Sequence, residues 1–147
     1  MVSIKGFVWK ESYSVGVSGI DEQHKYFISL LNEAESLAKG KVSGDEAERV
    51  VRSLEAYARK HFDTEEKMLE SIKYPKLKEH RFAHLELIEK TAIFYDRILL
   101  GGIDIKKVAD FMEAWFKTHL MTHDHEYAEY IKKYGTVPRK SFFWFLK

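Results

Sequence analysis

Apolar residues recur at helical spacing in four stretches of the chain. The first stripe reads Ile20, His24, Phe27, Ile28, Leu31, Ala34, Ala38. It opens at Asp21, a residue type suited to capping a helix start, and ends near Gly40. The second starts near Gly44-Asp45 and reads Ala47, Val50, Val51, Leu54, Tyr57, Ala58, His61, Glu65, Met68, Leu69, Ile72. Tyr74-Pro75 breaks it, because proline disfavours helix in the residue before it. The third reads Leu77, His80, His84, Leu87, Ile88, Thr91, Phe94, Tyr95, Ile98 and stops at Gly101-Gly102. The fourth reads Ile105, Val108, Met112, Trp115, His119, then Tyr127 and Ile131, and ends near Gly135. Short connections between four amphipathic helices predict an all-α fold, an antiparallel up-down-up-down four-helix bundle. An N-terminal arm (residues 1–19) carries Phe7, Val8, Trp9, Tyr13, Val15 and Val17, enough apolar weight to pack on the bundle. Strand signals are sparse and confined to it. The expected organisation is one domain over 1–135 and an aromatic, basic tail over 136–147.

Composition narrows the chemistry. The 147 residues are 45% hydrophobic and 32% charged, which suits one folded domain. Twenty-four Lys+Arg against twenty-three Asp+Glu leave a net charge of +1, which argues against general nucleic-acid binding. No apolar run approaches the ~18 residues of a transmembrane segment, and Met1–Lys10 lacks a signal-peptide pattern, so a cytoplasmic location is expected. The chain has no cysteine, which excludes disulfides, thiolate nucleophiles and cysteine metal sites. Any metal must sit on His, Asp and Glu, and there are seven histidines.

Five of these histidines fall on the apolar stripes, together with Glu65. His61 and Glu65 are four apart, as are His80 and His84, so each pair can point inward from one face. A carboxylate on a core-facing stripe is costly unless paired or metal-bound. In an up-down-up-down bundle these residues share one end of the molecule, most of them within a band ~5–16 Å deep at ~1.5 Å per residue. A single such histidine is usually a satisfied core residue; six converging side chains point to a metal. The fourth helix is less clear. His123 is the natural helical partner of His119, whereas Asp124 is five residues on, about 140° round an ideal helix. Spacing alone selects His123, or demands a local irregularity that brings Asp124 in.

The ordered pattern of His24 within Ile20-Asp21-Glu22-Gln23-His24, His61 with Glu65, His80 with His84, and His119 with Asp124 resembles the hemerythrin family, in particular its single-domain bacterial members. Trp9, Tyr13, Val15 and Val17 of the arm are similar to it too, and the resemblance spans about residues 7–134. It implies a bundle holding two non-haem iron ions, one on His80, His84 and His119, the other on His24 and His61. Glu65 and Asp124 would bridge both, with an oxo or hydroxo oxygen as third bridge. It therefore prefers Asp124 over His123. Two six-coordinate irons offer twelve positions; this set fills eleven and leaves one open on the two-histidine iron, where dioxygen can bind. Trp115, Phe116 and Leu120 resemble the family's oxygen-pocket lining, although the family often has leucine where this chain has Phe116.

The implied function is reversible dioxygen binding, for storage, delivery or sensing, rather than enzymatic catalysis. Two alternatives stay open: a di-iron enzyme acting on peroxide, nitric oxide or ferrous iron, and a structural or zinc-filled bundle. His123 and His125 are expected to face solvent or stand behind the ligands, and Tyr127 and Tyr130 to pack near the site or cap the core. In the tail, Phe142-Phe143-Trp144-Phe145-Leu146 with basic flanks suggests a protein partner or a membrane surface, or a segment folded back on the bundle.

Overall fold

The computed structural model describes residues 6–101 and 104–135, so the aromatic tail and its expected partner contact lie outside the described residues. Four helical rods form the expected bundle. They are α1 (Ser18–Leu37), α2 (Gly44–Ser71), α3 (Leu77–Leu99) and a fourth rod in three parts: α4 (Ile105–His119), a π-helical turn (Leu120–Asp124) and α5 (His125–Tyr134). α1 packs on α2 and α4, and α3 packs on α2 and α4. The predicted stripes face inward: Ile20, Leu31, Leu54, Met68, Leu69, Leu87, Val108, Met112 and Tyr127 are buried. Among the described residues no helix is long and apolar enough to cross a membrane.

The rods start and stop for local reasons. Ser43 caps α2 by accepting a hydrogen bond from Glu46 N–H, and Asp104 caps α4 by accepting from Lys106 N–H. α2 ends at Ser71, earlier than Pro75 requires. Lys73 takes a left-handed φ of +55°, and Tyr74 N–H bonds back to Leu69 O at 3.0 Å, which turns the chain before the proline is reached.

α1 departs from expectation in an instructive way. It begins at Ser18, and Asp21 is not its cap. Asp21 sits one turn inside and reaches back to the arm: its carboxylate accepts from Val15 N–H at 2.9 Å and from the Ser14 hydroxyl. Among its described residues the arm is irregular, with one 3₁₀ turn (Glu11–Tyr13) and no strand. Asn32 pins its start, accepting from Phe7 N–H and donating to Phe7 O, both at 2.8 Å. A Cβ at Gly6 would stand 2.9 Å from Asn32 Oδ1, so a side chain there would push against this pairing. Phe7, Tyr13, Val15 and Val17 are buried as expected, whereas Val8 points to solvent.

Asp21→Ala removes both acceptors of the arm. We expect a loss of about 1–3 kcal/mol in urea unfolding, with faster hydrogen exchange at the Val15 amide; an unchanged midpoint would mean the arm is held without this contact.

Candidate metal centre

The start of α1, the second half of α2, the start of α3 and the junction of α4 with α5 meet at one end of the bundle. There His24, His61, Glu65, His80, His84, His119 and Asp124 are all buried, Glu65 and Asp124 completely. The i,i+4 pairs act as expected: His61 and Glu65 project from α2 together, as do His80 and His84 from α3.

Asp124 arrives by the irregularity. The backbone N–H of His125 bonds to Leu120 O five residues back, in place of the usual four. One wide turn therefore separates His119 from Asp124, and both face the centre, with His119 Nε2 3.1 Å from Asp124 Oδ1. His123 is displaced. Its ring stacks on His119 at 5.2 Å from outside and is half-buried.

The seven side chains sort into two halves. Glu65 Oε1 lies 2.6 Å from His80 Nε2 and 3.1 Å from His84 Nε2, while Glu65 Oε2 lies 3.5 Å from His61 Nε2 and 3.8 Å from His24 Nε2. Asp124 divides in the same way: Oδ1 is 3.2 Å from His80 Nε2 and 3.1 Å from His119 Nε2, and Oδ2 is 3.3 Å from His24 Nε2. Each carboxylate thus turns one oxygen to His80, His84 and His119, and the other toward His24 or the His24–His61 pair. Within the halves ring nitrogens converge, His24 Nε2 on His61 Nε2 at 3.0 Å and His84 Nε2 on His119 Nε2 at 3.2 Å.

A metal ion fits this arrangement, and Asp124 is the test. Both of its oxygens are buried without a hydrogen bond, despite three imidazole nitrogens close by. A buried carboxylate without hydrogen bonds is expensive. Donors gathered around it but not aimed at it are explained by a cation between them. Imidazole and carboxylate donors suit iron, though they accept other transition metals.

Outer contacts orient the ligands, and two of these partners escaped the sequence reading. His61 Nδ1–H donates to Gln23 Oε1 at 2.7 Å, and His84 Nδ1–H donates to Glu66 Oε2 at 2.8 Å, so each ring's Nε2 lone pair faces the centre. Gln23 and Glu66 directly follow or precede ligands in sequence, the one signal that could have found them. The Tyr127 hydroxyl donates to Glu65 Oε2 at 2.8 Å, the nearer of the two roles expected for it. His125 does not face solvent: its Nδ1 lies 2.7 Å from Leu120 O in the π turn and its Nε2 2.7 Å from Ser12 O in the arm.

Three aromatic rings stand against the histidines. Trp115 stacks on His119 at 4.5 Å and 11°, and Phe62 stacks on His84 at 3.7 Å and 6°. Phe116 sets its ring against His24 at 5.3 Å, backed by Phe27 and Phe7. Leu120, which follows His119 directly, is fully buried. Of the three expected lining residues, Trp115 stands on the three-histidine side and Phe116 on the two-histidine side.

Electrostatics follow from crowding without water. Burial alone would raise the Glu65 carboxyl, but His80, which is hydrogen-bonded to it, and the neighbouring His61 hold it well below the ordinary carboxylate range. Burial and the charge of Glu65 push Asp124 upward; His119 and His24 overcome both and hold it well below. Burial opposes charge on His80, yet Glu65 and Asp124 pull it up to about 10. His61 is pushed down by burial and by His24, and His119 by burial. Burial also opposes charge on His84, but Glu65 and Glu66 outweigh it and draw that group up.

Two outcomes follow. Glu65→Ala or His119→Ala should lose stoichiometric loading of two metal ions per chain in elemental analysis, and His123→Ala should keep it; loss of metal in the His123 variant would reopen the Asp124 assignment. Metal-free His80 holds a proton at neutral pH and must release it to act as a ligand. Zinc affinity measured by calorimetry should therefore rise with pH, about tenfold between pH 7 and 8 for the one proton released from His80; an affinity flat with pH would mean that metal-free His80 is already neutral.

The chain matches the family model of the hemerythrin HHE cation binding domain over residues 15–131. It is 31% identical to a bacteriohemerythrin of Clostridium acetobutylicum, covering 84% of this chain and 99% of that one. It is 27% identical to a myohemerythrin of Sipunculus nudus over 82% of this chain and 90% of the relative. Among solved structures, wild-type hemerythrin superposes with a TM-score of 0.78 at 21% identity, over 84% of this chain and 95% of that one.

Proposed function

The chain belongs to the hemerythrin family, and from that premise we propose that its bundle holds two iron ions and binds dioxygen reversibly. His80, His84 and His119 would hold one ion, His24 and His61 the other, with Glu65 and Asp124 spanning both. The observation that carries this reading is the division of the two buried carboxylates, each with one oxygen toward either set of histidines. When bound, a pair of ferrous ions supplies the two electrons with which dioxygen is held and from which it is released.

The chain's own residues do the rest. The two-histidine half has the smaller donor set, which leaves room for a small ligand there. Phe116, backed by Phe27 and Phe7, walls that half with apolar surface, and Leu120 is buried in the same rod. A wall of this kind keeps out water and protons, which would otherwise drive reduced oxygen off irreversibly. The Tyr127 hydroxyl donates to Glu65 on the oxygen that faces the two-histidine half, holding that carboxylate in place. The donors themselves favour a binder over an oxidase. Carboxylate-rich di-iron bundles draw most ligands from glutamate, whereas here five imidazoles, a group that binds metal in its neutral form, accompany two carboxylates. Fewer anionic ligands give less support to highly charged iron. The proposal places the protein in the cytoplasm.

Air admitted to the anaerobically reduced, iron-loaded protein should produce a visible absorption band that fades when oxygen is withdrawn. Irreversible bleaching, or steady turnover with peroxide or nitric oxide, would favour an enzyme instead.

A further inference from the structure

We propose that the two halves of the centre take up metal in order, the three-histidine half first, and that Glu66 is the positioning residue that makes them unequal. The inference rests on the two-metal reading of the site. The donor sets differ to begin with: Glu65, His80, His84 and His119 bring four ligand atoms within 4.8 Å of one another, and His24, His61 and Glu65 bring three.

The outer partners enlarge that difference. His84 and His61 each donate Nδ1–H to one side-chain oxygen, at nearly the same distance, 2.8 and 2.7 Å. The two acceptors differ in charge. Gln23 offers a neutral amide oxygen, whereas Glu66 offers a carboxylate. A carboxylate draws the shared proton further from the ring, makes the imidazole a stronger electron donor at Nε2, and so favours a cation there.

Three features keep this contact in place. Glu66 follows Glu65 on α2, so one residue of the helix enters the core while the next stands at the α2–α3 groove behind His84. Arg81 of α3 binds Glu66 Oε1 at 3.2 Å, which leaves Oε2 for the imidazole. Phe62 lies flat on the His84 ring at 3.7 Å, whereas against His61 it is tilted at 5.9 Å. The ring that receives the charge-assisted contact is therefore also the one clamped by stacking.

The test is titration of the metal-free full chain with cobalt(II), followed by calorimetry and visible absorption. Wild type should bind two ions in two resolved steps. E66Q, nearly the same shape without the charge, should weaken the first step about tenfold and leave the second unchanged. Q23E should strengthen the second step, and the Q23E/E66Q exchange should bring the two steps together or reverse them. R81A, on a half-exposed side chain, should weaken the first step by less than E66Q does. Thermal unfolding of the metal-free variants controls for folding, since a merely structural role for Glu66 would lower stability without moving one step against the other. Two ions binding in a single step in wild type, or E66Q keeping the wild-type spacing, would overturn the ordering while leaving the two-metal centre standing. No cobalt bound by wild type would overturn the centre itself and the ordering with it.

Discussion

Two carboxylates buried side by side in an apolar bundle are the constraint around which this molecule is arranged. Glu65 and Asp124 are fully enclosed and repel one another. A bundle filled only with leucine and methionine could not keep both ionised. Five imidazoles from four rods converge on them, and still Asp124 lacks a hydrogen bond. The cost is bearable only if a positive charge belongs between the groups, so the electrostatics that would count against the fold are the same that specify its cargo.

The scaffold meets that demand by dividing labour along the rods. Away from the centre the stripes are ordinary packing, with Leu31, Leu54, Leu87 and Met112 filling the interior. At the centre the same stripes carry imidazole, and each ring's orientation is inherited from a neighbour: Gln23 behind His61, Glu66 behind His84, Trp115 against His119, Phe116 against His24. The arm is fastened to α1 through Asp21 and Asn32 and to α5 through His125, so a largely irregular segment is tied to two of the helical pieces.

Much of this was legible in the sequence, for reasons particular residues make plain. The rods were visible because apolar periodicity is a direct record of which side faces the core. His61 with Glu65 and His80 with His84 were visible because four residues make nearly one turn. The start of α1 was misread because Asp21 has the chemistry of a cap and spends it on Val15 and Ser14 instead. Gln23 and Glu66 were missed because a polar residue at a helix edge reads as surface, and nothing local says that a ligand's far side lies within reach. Periodicity alone favoured His123 over Asp124, since it assumes a regular helix, whereas the family resemblance pointed to Asp124, which the π turn brings beside His119.

That irregularity has a simple arithmetic. Val108, Met112, Phe116 and His119 share one inward phase, and Asp124 and Tyr127 share another, each regular in itself. The two phases are offset by a single residue, and the π turn at Leu120–Asp124 is where the offset is absorbed. The fourth rod is thus a regular helix carrying one supernumerary residue, accommodated without disturbing the frame on either side. Removing one residue from within the turn would let the rod run straight with Asp124 and Tyr127 still facing inward, and would forfeit only the bulge that His125 fastens to the arm.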